Sequence, residues 1–598
     1  MKLIVRIALA ACLLAPLASH AETKILRVVF PVAETGFDPA QISDLYSRTI
    51  TPHIFESLYT YDPLAQPYKI KPLTATAMPE VSADFKTWTV HIQPGIYFAD
   101  DPAFKGRKRE LVAEDYVYAL KRFFDPANKS PNYPTLKDEG LLGLEELRQH
   151  GIAAKKPFDY DREVEGVKAL GRYTIRFKLA EARPRFIYTL ATTDLMGAVA
   201  REVIEAYPGQ AMEHPVGTGP FRLKAWRRSS LIVLEKNPSF REVLYDAEPN
   251  ADDAQGQAWL AKFKGRRLPM IDEVHVSIIE ENQPRWLAFL NGQIDYLAVP
   301  LDYANVAMPN NKLAPNLMKK GIVARKYINA DYTMTWFNME DAVVGGYTPD
   351  KVALRRAIGL GIDIGGEIRL LRRGQAIPAQ APMAPNTFGY DPAFKTENGD
   401  FDVARANALL DTFGYVDRDG DGWREQPDGS PLVLNVATQS SQIDRQFDER
   451  WKKNMDRLHL RVQFNTAQWP ENLKAARSGN YQVWSVGGSS AAPDSEGAFQ
   501  KYDSRQIGGQ NMGRVRLPAL DKAYDRIQTL PDGPERLAAF REAERLGLAY
   551  MPYKYILNRV SLDMTQRRVV GYRRPVFWQD WWHLVDIDDG PDTVAKKG

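Results

Sequence analysis

Residues 86–95 read Lys-Thr-Trp-Thr-Val-His-Ile-Gln-Pro-Gly, and this stretch decides the class of fold. Trp88, Val90 and Ile92 alternate with more polar neighbours, the two-residue period of a half-buried strand, and Pro94-Gly95 predicts a turn. Downstream, Val117, Leu120 and Phe124 recur at helical spacing, predicting an amphipathic helix over 113–124 that stops at Asp125-Pro126. Strand and helix therefore share one lobe. Upstream, 25–31 is a short apolar run closed by Pro31, a buried strand. Further strands are expected at 173–179, 231–236, 274–279 and 432–436. Thr348-Pro349-Asp350 opens a helix, Asp363 begins another that ends at Arg372-Arg373-Gly374, and Pro534 starts a third through Leu537, Phe540, Ala543 and Leu546. Short strands and helices mixed without a strict βαβ rhythm indicate an α/β chain of several lobes. No internal repeat or long low-complexity linker interrupts it, and the polar stretch 248–256 reads as a surface insertion.

The 598 residues, 44% apolar and 26% charged, match an ordinary folded chain and exclude wholesale disorder. With 78 Lys+Arg against 75 Asp+Glu, the cation excess is too slight for nucleic acid to be a partner. Residues 1–21 carry Lys2 and Arg6, an apolar run from Ile7 to Leu17, and small residues at Ser19 and Ala21, which reads as an export signal cut after Ala21. That run falls well short of the roughly 20 residues a membrane-crossing helix needs, so the exported form is expected to be soluble. Cleavage before Cys12, the lipoprotein alternative, would leave almost no apolar region ahead of the cut. Removal of the segment leaves no cysteine, hence no disulfide and no thiol chemistry.

Reaction motifs are missing. The eight histidines are scattered, no HExxH occurs, and Ser489 and Ser490 follow two glycines without forming a G-x-S-x-G elbow. Gly359, Gly361 and Gly365 imitate a dinucleotide loop but fall within a helical stretch, and read as packing glycines. One segment resembles a metal site: Asp417, Asp419, Asp421, Gly422 and Asp428 occupy positions 1, 3, 5, 6 and 12 of a calcium loop. Two readings stand, a structural calcium or a tip of turn residues between Tyr415 and Leu432. No cofactor is otherwise required.

Several segments, in order, resemble the family 5 extracellular solute-binding proteins, the oligopeptide, dipeptide and nickel receptors of bacterial ABC importers. They are Thr35-Gly36-Phe37-Asp38-Pro39, the stretch 88–95 with Phe98, and Ala113-Glu114-Asp115 leading to Leu120-Lys121-Arg122. Pro215-Val216-Gly217-Thr218-Gly219-Pro220-Phe221-Arg222-Leu223, Asn237-Pro238 and Asn291-Gly292-Gln293-Ile294-Asp295 follow, then Leu354-Arg355-Arg356-Ala357-Ile358 with Ile362-Asp363, and Gly571-Tyr572. The resemblance implies a two-lobed clamshell of the type II periplasmic binding protein kind, α/β throughout, with an extra N-terminal subdomain. By analogy the first lobe takes 22–70, 215–330 and 546–598, the subdomain 71–214 and the second lobe 331–545. It also implies a monomeric periplasmic receptor, not an enzyme, that captures a peptide or peptide-like solute and delivers it to permease subunits in the inner membrane.

Site residues follow only from the same resemblance. Glu34 resembles a cleft acid, Tyr133 a subdomain tyrosine, Trp484 the tryptophan of the second-lobe loop, and Asn511 the asparagine after the variable loop. Three residues past that tryptophan, where peptide receptors place an Asp for the ligand's α-amine, stands Gly487. Either Asp494 or Glu496 replaces it, or the ligand has no free amine there, because a buried ammonium needs a counter-charge. Haem, a metal chelate or another organic solute stays open as ligand. The rival classes are a secreted hydrolase and an envelope chaperone using the aromatic tail 577–582.

Overall fold

The computed structural model describes residues 23–588 and Gly590; the expected export segment, with Cys12, lies outside the described residues. Ile25–Phe30 buries every second side chain and pairs in parallel with Glu273–Ile278. Leu231–Lys236 and Phe221–Arg227 continue this sheet antiparallel. The aromatic tail closes the same core: Trp582 stacks on His53 at 4.1 Å and Trp581 meets the edge of Tyr572 at 4.7 Å. Those rings are interior, so the tail is not the exposed patch a chaperone reading needs.

The extra subdomain is built as its periodicity predicts. Thr87–His91 pairs antiparallel with Thr174–Lys178, flanked by Glu80–Val81 and Val167–Gly171. The helix Ala113–Phe124 packs on them, begun by the Asp115 carboxylate accepting the Val112 N–H at 2.8 Å. Arg122, at the helix's far end, donates twice to Asp38, 2.7 Å each, in a buried pair that fixes the subdomain to the first lobe.

The second lobe hangs on a larger sheet whose order is Tyr296–Ala298, Tyr553–Thr565, Asp331–Phe337, Val483–Ser489, Val433–Thr438, Arg461–Thr466. Its two faces carry separate cores, one around Trp336, Trp484 and Tyr553, the other around Phe337, Leu434 and Val483. Helix Pro349–Gly361 starts with proline as expected, and a Cβ on Gly361 would sit 2.6 Å from Leu458 Cδ1, which is helix packing. Tyr553–Thr565 belongs to both lobes. Its first half pairs with Asp331–Phe337 and Ala376–Pro378, and its second half with Val323–Ile328 and Tyr296–Ala298. The return to the first lobe, expected at 546, therefore falls inside this strand.

Candidate functional site

A cleft of about 360 Å³ opens between the extra subdomain and the second lobe, within the range of small-ligand sites. The subdomain wall is Glu139, just past the helix Tyr133–Asp138, with Arg183, Arg185 and Thr189 around the helix Phe186–Leu190. The opposite wall is Tyr332, on Asp331–Phe337, with Ser489 and Ser490 where Val483–Ser489 leaves the sheet, then Asp494, Glu496 and Lys501. Gly488 makes room for the Tyr332 ring on this wall: a Cβ there would lie 2.7 Å from it, and the two residues are cross-strand partners. That ring is held by Lys501, whose Nζ donates to the phenolic oxygen at 2.5 Å.

Arg185 crosses from one wall to the other. Its Nε donates to Glu496 Oε2 at 2.8 Å, and its Nη atoms reach the Leu530 and Ile527 carbonyls, 2.8 Å each, at the end of the helix Pro518–Thr529. A cation at a helix C-terminus meets both unpaired carbonyls and the negative end of the dipole. Asp494 is held as firmly: fully buried Arg536 donates to its two oxygens at 2.6 and 2.7 Å. Burial pushes the Glu496 carboxyl up, against the pull of Arg185. Glu139 lacks such a cation; burial carries it up to about 7, opposed by the Thr189 hydroxyl that donates to Oε1 and by nearby Arg183.

The residues expected from the resemblance are placed differently. Asp494 lines the cleft but is spent on Arg536. Trp484 does not line it: only 2% exposed, it packs edge-on against Trp336 at 5.4 Å and beside Trp469 at 5.1 Å. Together with Gly487 it borders a separate cavity of about 280 Å³ inside the second lobe. Asn511 is fully buried and ties its own loop, donating to the Asp503 and Val515 carbonyls and accepting from Val515 N–H, 2.9 Å each. Glu34 accepts from the Trp226 indole and the Ser229 N–H within the first lobe. Tyr133 donates to Glu145 at 2.5 Å beneath Arg148, away from the lining. Glu139, Arg185, Tyr332 and Lys501 escape sequence reading, since nothing in their local pattern announces a cleft.

In the aspartate loop, carboxylate oxygens of Asp417, Asp419, Asp421 and Glu425 lie within 4.8 Å of one another. Glu425 replaces Asp428 in this group, because Asp428 turns away to accept from the Ser430 N–H and hydroxyl at 2.9 and 2.7 Å. The same oxygens also make the turn: Asp417 accepts from Gly420 and Gly422, and Asp421 from Trp423. Arg461 pairs with Asp421. Hard carboxylate oxygens converging in one turn fit a calcium-type ion, and the turn stands without it.

"Bacterial extracellular solute-binding proteins, family 5 Middle" matches residues 69–510. Di/tripeptide-binding protein 2 of Pseudomonas aeruginosa is 22% identical over 571 residues, covering 93% of each chain. The dipeptide-binding protein of Escherichia coli is 22% identical over 542 residues, covering 87% of this chain and 89% of the relative. Among solved structures, DppA of Helicobacter pylori in complex with the peptide STSA superposes with a TM-score of 0.69 at 21% identity, covering 94% of this chain and 98% of that one. The murein tripeptide-binding protein MppA of Escherichia coli gives 0.67 at 19%, covering 95% and 99%. At these identities the structures establish the two-lobed fold.

Proposed function

The chain belongs to the bacterial extracellular solute-binding proteins of family 5, and from that premise we propose that it captures a short peptide or peptide-like solute and passes it to an ABC permease in the inner membrane. The observation that carries this reading is the polar cleft between subdomain and second lobe, closed across by Arg185. Relatives named for di- and tripeptides support the ligand class. The chain works as a receptor with no catalytic step, a reading supported by its membership of a family of solute-binding proteins. It acts as an unlipidated monomer in the periplasm after removal of its export segment, and requires no cofactor; the aspartate loop offers a place for a structural calcium.

The mechanism is a population shift. A ligand that touches both walls binds the closed form better than the open one, and moves the equilibrium by that difference in affinity alone. A micromolar peptide supplies about 8 kcal/mol for ordering, closure and recognition together. Native mass spectrometry of the exported form, before and after mild unfolding, tests the reading: a released small peptide supports it. A protein that carries nothing and binds no member of a di- and tripeptide panel by calorimetry overturns it.

A further inference from the structure

Away from the cleft, the second lobe holds a larger cavity of about 460 Å³, between the helix Pro534–Tyr550 and the segment 394–398. It shares no lining residue with the cleft. Its walls are mainly apolar, with Phe394 on one side and Leu548, Ala549 and Met551 on the other. Small-ligand sites have this size and makeup, an apolar hollow with a few placed polar groups.

Two charged groups of the cavity are incompletely paired. Glu544 is only 2% exposed; its Oε2 accepts from Arg541 at 2.8 Å, while its Oε1 is buried with no hydrogen-bond partner among the described residues. A buried oxygen left without a donor is costly. Burial pushes this carboxyl up, against the hydrogen bond and charge of Arg541. Arg545, the next residue, is exposed on the same cavity and has neither a hydrogen bond nor an ion pair among the described residues. The other cations are engaged: Arg356 donates to both oxygens of Glu397, at 2.7 and 2.8 Å, and Arg541 lies over the Phe394 ring at 5.1 Å as well as on Glu544. The cavity therefore lacks one donor and one anion, both beside an apolar wall.

We propose that this cavity is a second ligand site, for a free amino acid with an apolar side chain. The ammonium donates to Glu544 Oε1, the carboxylate pairs with Arg545, and the side chain lies against Leu548 and Met551. A purely cationic ligand would face Arg356, Arg541 and Arg545 together, and a purely anionic one would leave the Glu544 oxygen without a donor. A zwitterion completes both.

The test is calorimetry of the exported form with L-leucine, N-acetyl-leucine and leucinamide, joined to hydrogen-exchange mass spectrometry. Wild type is expected to bind leucine saturably and at least about tenfold more tightly than either blocked form. Leucine should protect backbone amides in 394–398 and 541–551, not those in 489–501. Arg545→Met, at an exposed and unpaired position, should keep the fold and bind leucine no better than leucinamide; Glu544→Gln should lose the preference over N-acetyl-leucine. No saturable binding by wild type, leucine affinity unchanged in Arg545→Met, or protection confined to the cleft overturns the proposal. None of these outcomes bears on the peptide reading, whose cleft lies elsewhere.

Discussion

Arg185 of the extra subdomain and Glu496 of the second lobe meet at 2.8 Å across the cleft, and the arginine side chain is only 9% exposed. One guanidinium thereby ties the subdomain to the second lobe. Breaking one partner of a buried, hydrogen-bonded pair costs about 3–5 kcal/mol. Arg185→Ala is expected to open the ligand-free protein, seen as a larger radius of gyration in solution scattering, and to weaken peptide binding at least about tenfold. An unchanged radius and affinity would show that the pair does not govern closure.

Arg536 and Asp494 make a pair that works on stability instead. Arg536→Ala leaves the Asp494 carboxylate buried without its cation. The expected loss is about 3–5 kcal/mol of unfolding free energy, measured by chemical denaturation. The loss should be smaller in the Arg536→Met, Asp494→Asn double variant, in which neither charge is stranded.

Trp484 belongs to the interior, between Trp336 and Trp469. Trp484→Ala should therefore destabilise the chain by about 3–5 kcal/mol through cavity formation. The folded fraction should keep its affinity within about threefold. A hundredfold affinity loss at unchanged stability would return this residue to the ligand.

Glu139 gives binding a pH dependence. Burial sets its carboxyl at about 7 in the free protein; Asp138 and Glu496 also raise it, while Thr189 and Arg183 lower it. An ammonium ligand requires the ionised form. Below pH 7 binding must expel a proton, so affinity for free-amine peptides falls on acidification, approaching about tenfold per unit at low pH, and levels off above 7. Titration in two buffers of different ionisation heat should register proton release at pH 6, and Glu139→Gln should abolish it.

Four carboxylates converge at the aspartate loop, where Arg461 pairs with Asp421. Adding calcium to chelator-treated protein should raise Tm by a few degrees, and Asp419→Ala should remove the shift. No shift in the wild type leaves the loop as a turn.

Elements whose signals are local were legible. The helix Ala113–Phe124 and the strand Ile25–Phe30 are fixed by periodicity, a proline stop and an acid in the first turn. The helix Gln442–Asp456 was harder to see, because Phe447, Trp451 and Met455 mark one face among a majority of polar residues. Trp484 misled for a physical reason: alternation in Val483–Ser489 turns it into the core, and the cleft begins only where the strand ends, at Ser489. Glu139 and Lys501 come to line one cleft through packing of distant segments, and no spacing rule connects them.

The strand shared by both lobes, Tyr553–Thr565, is a ribbon common to both jaws of the clamshell. Its ladder runs without a break from second-lobe to first-lobe partners, apart from a register slip at Thr333 and Met334 opposite Leu557 and Tyr555. A flexible tether would let the halves drift over many apertures at no elastic cost. Here any change of aperture must pass through a hydrogen-bonded ribbon. The relative angle of the jaws is therefore set along one continuous strand, and opening at the permease has to pass through that backbone.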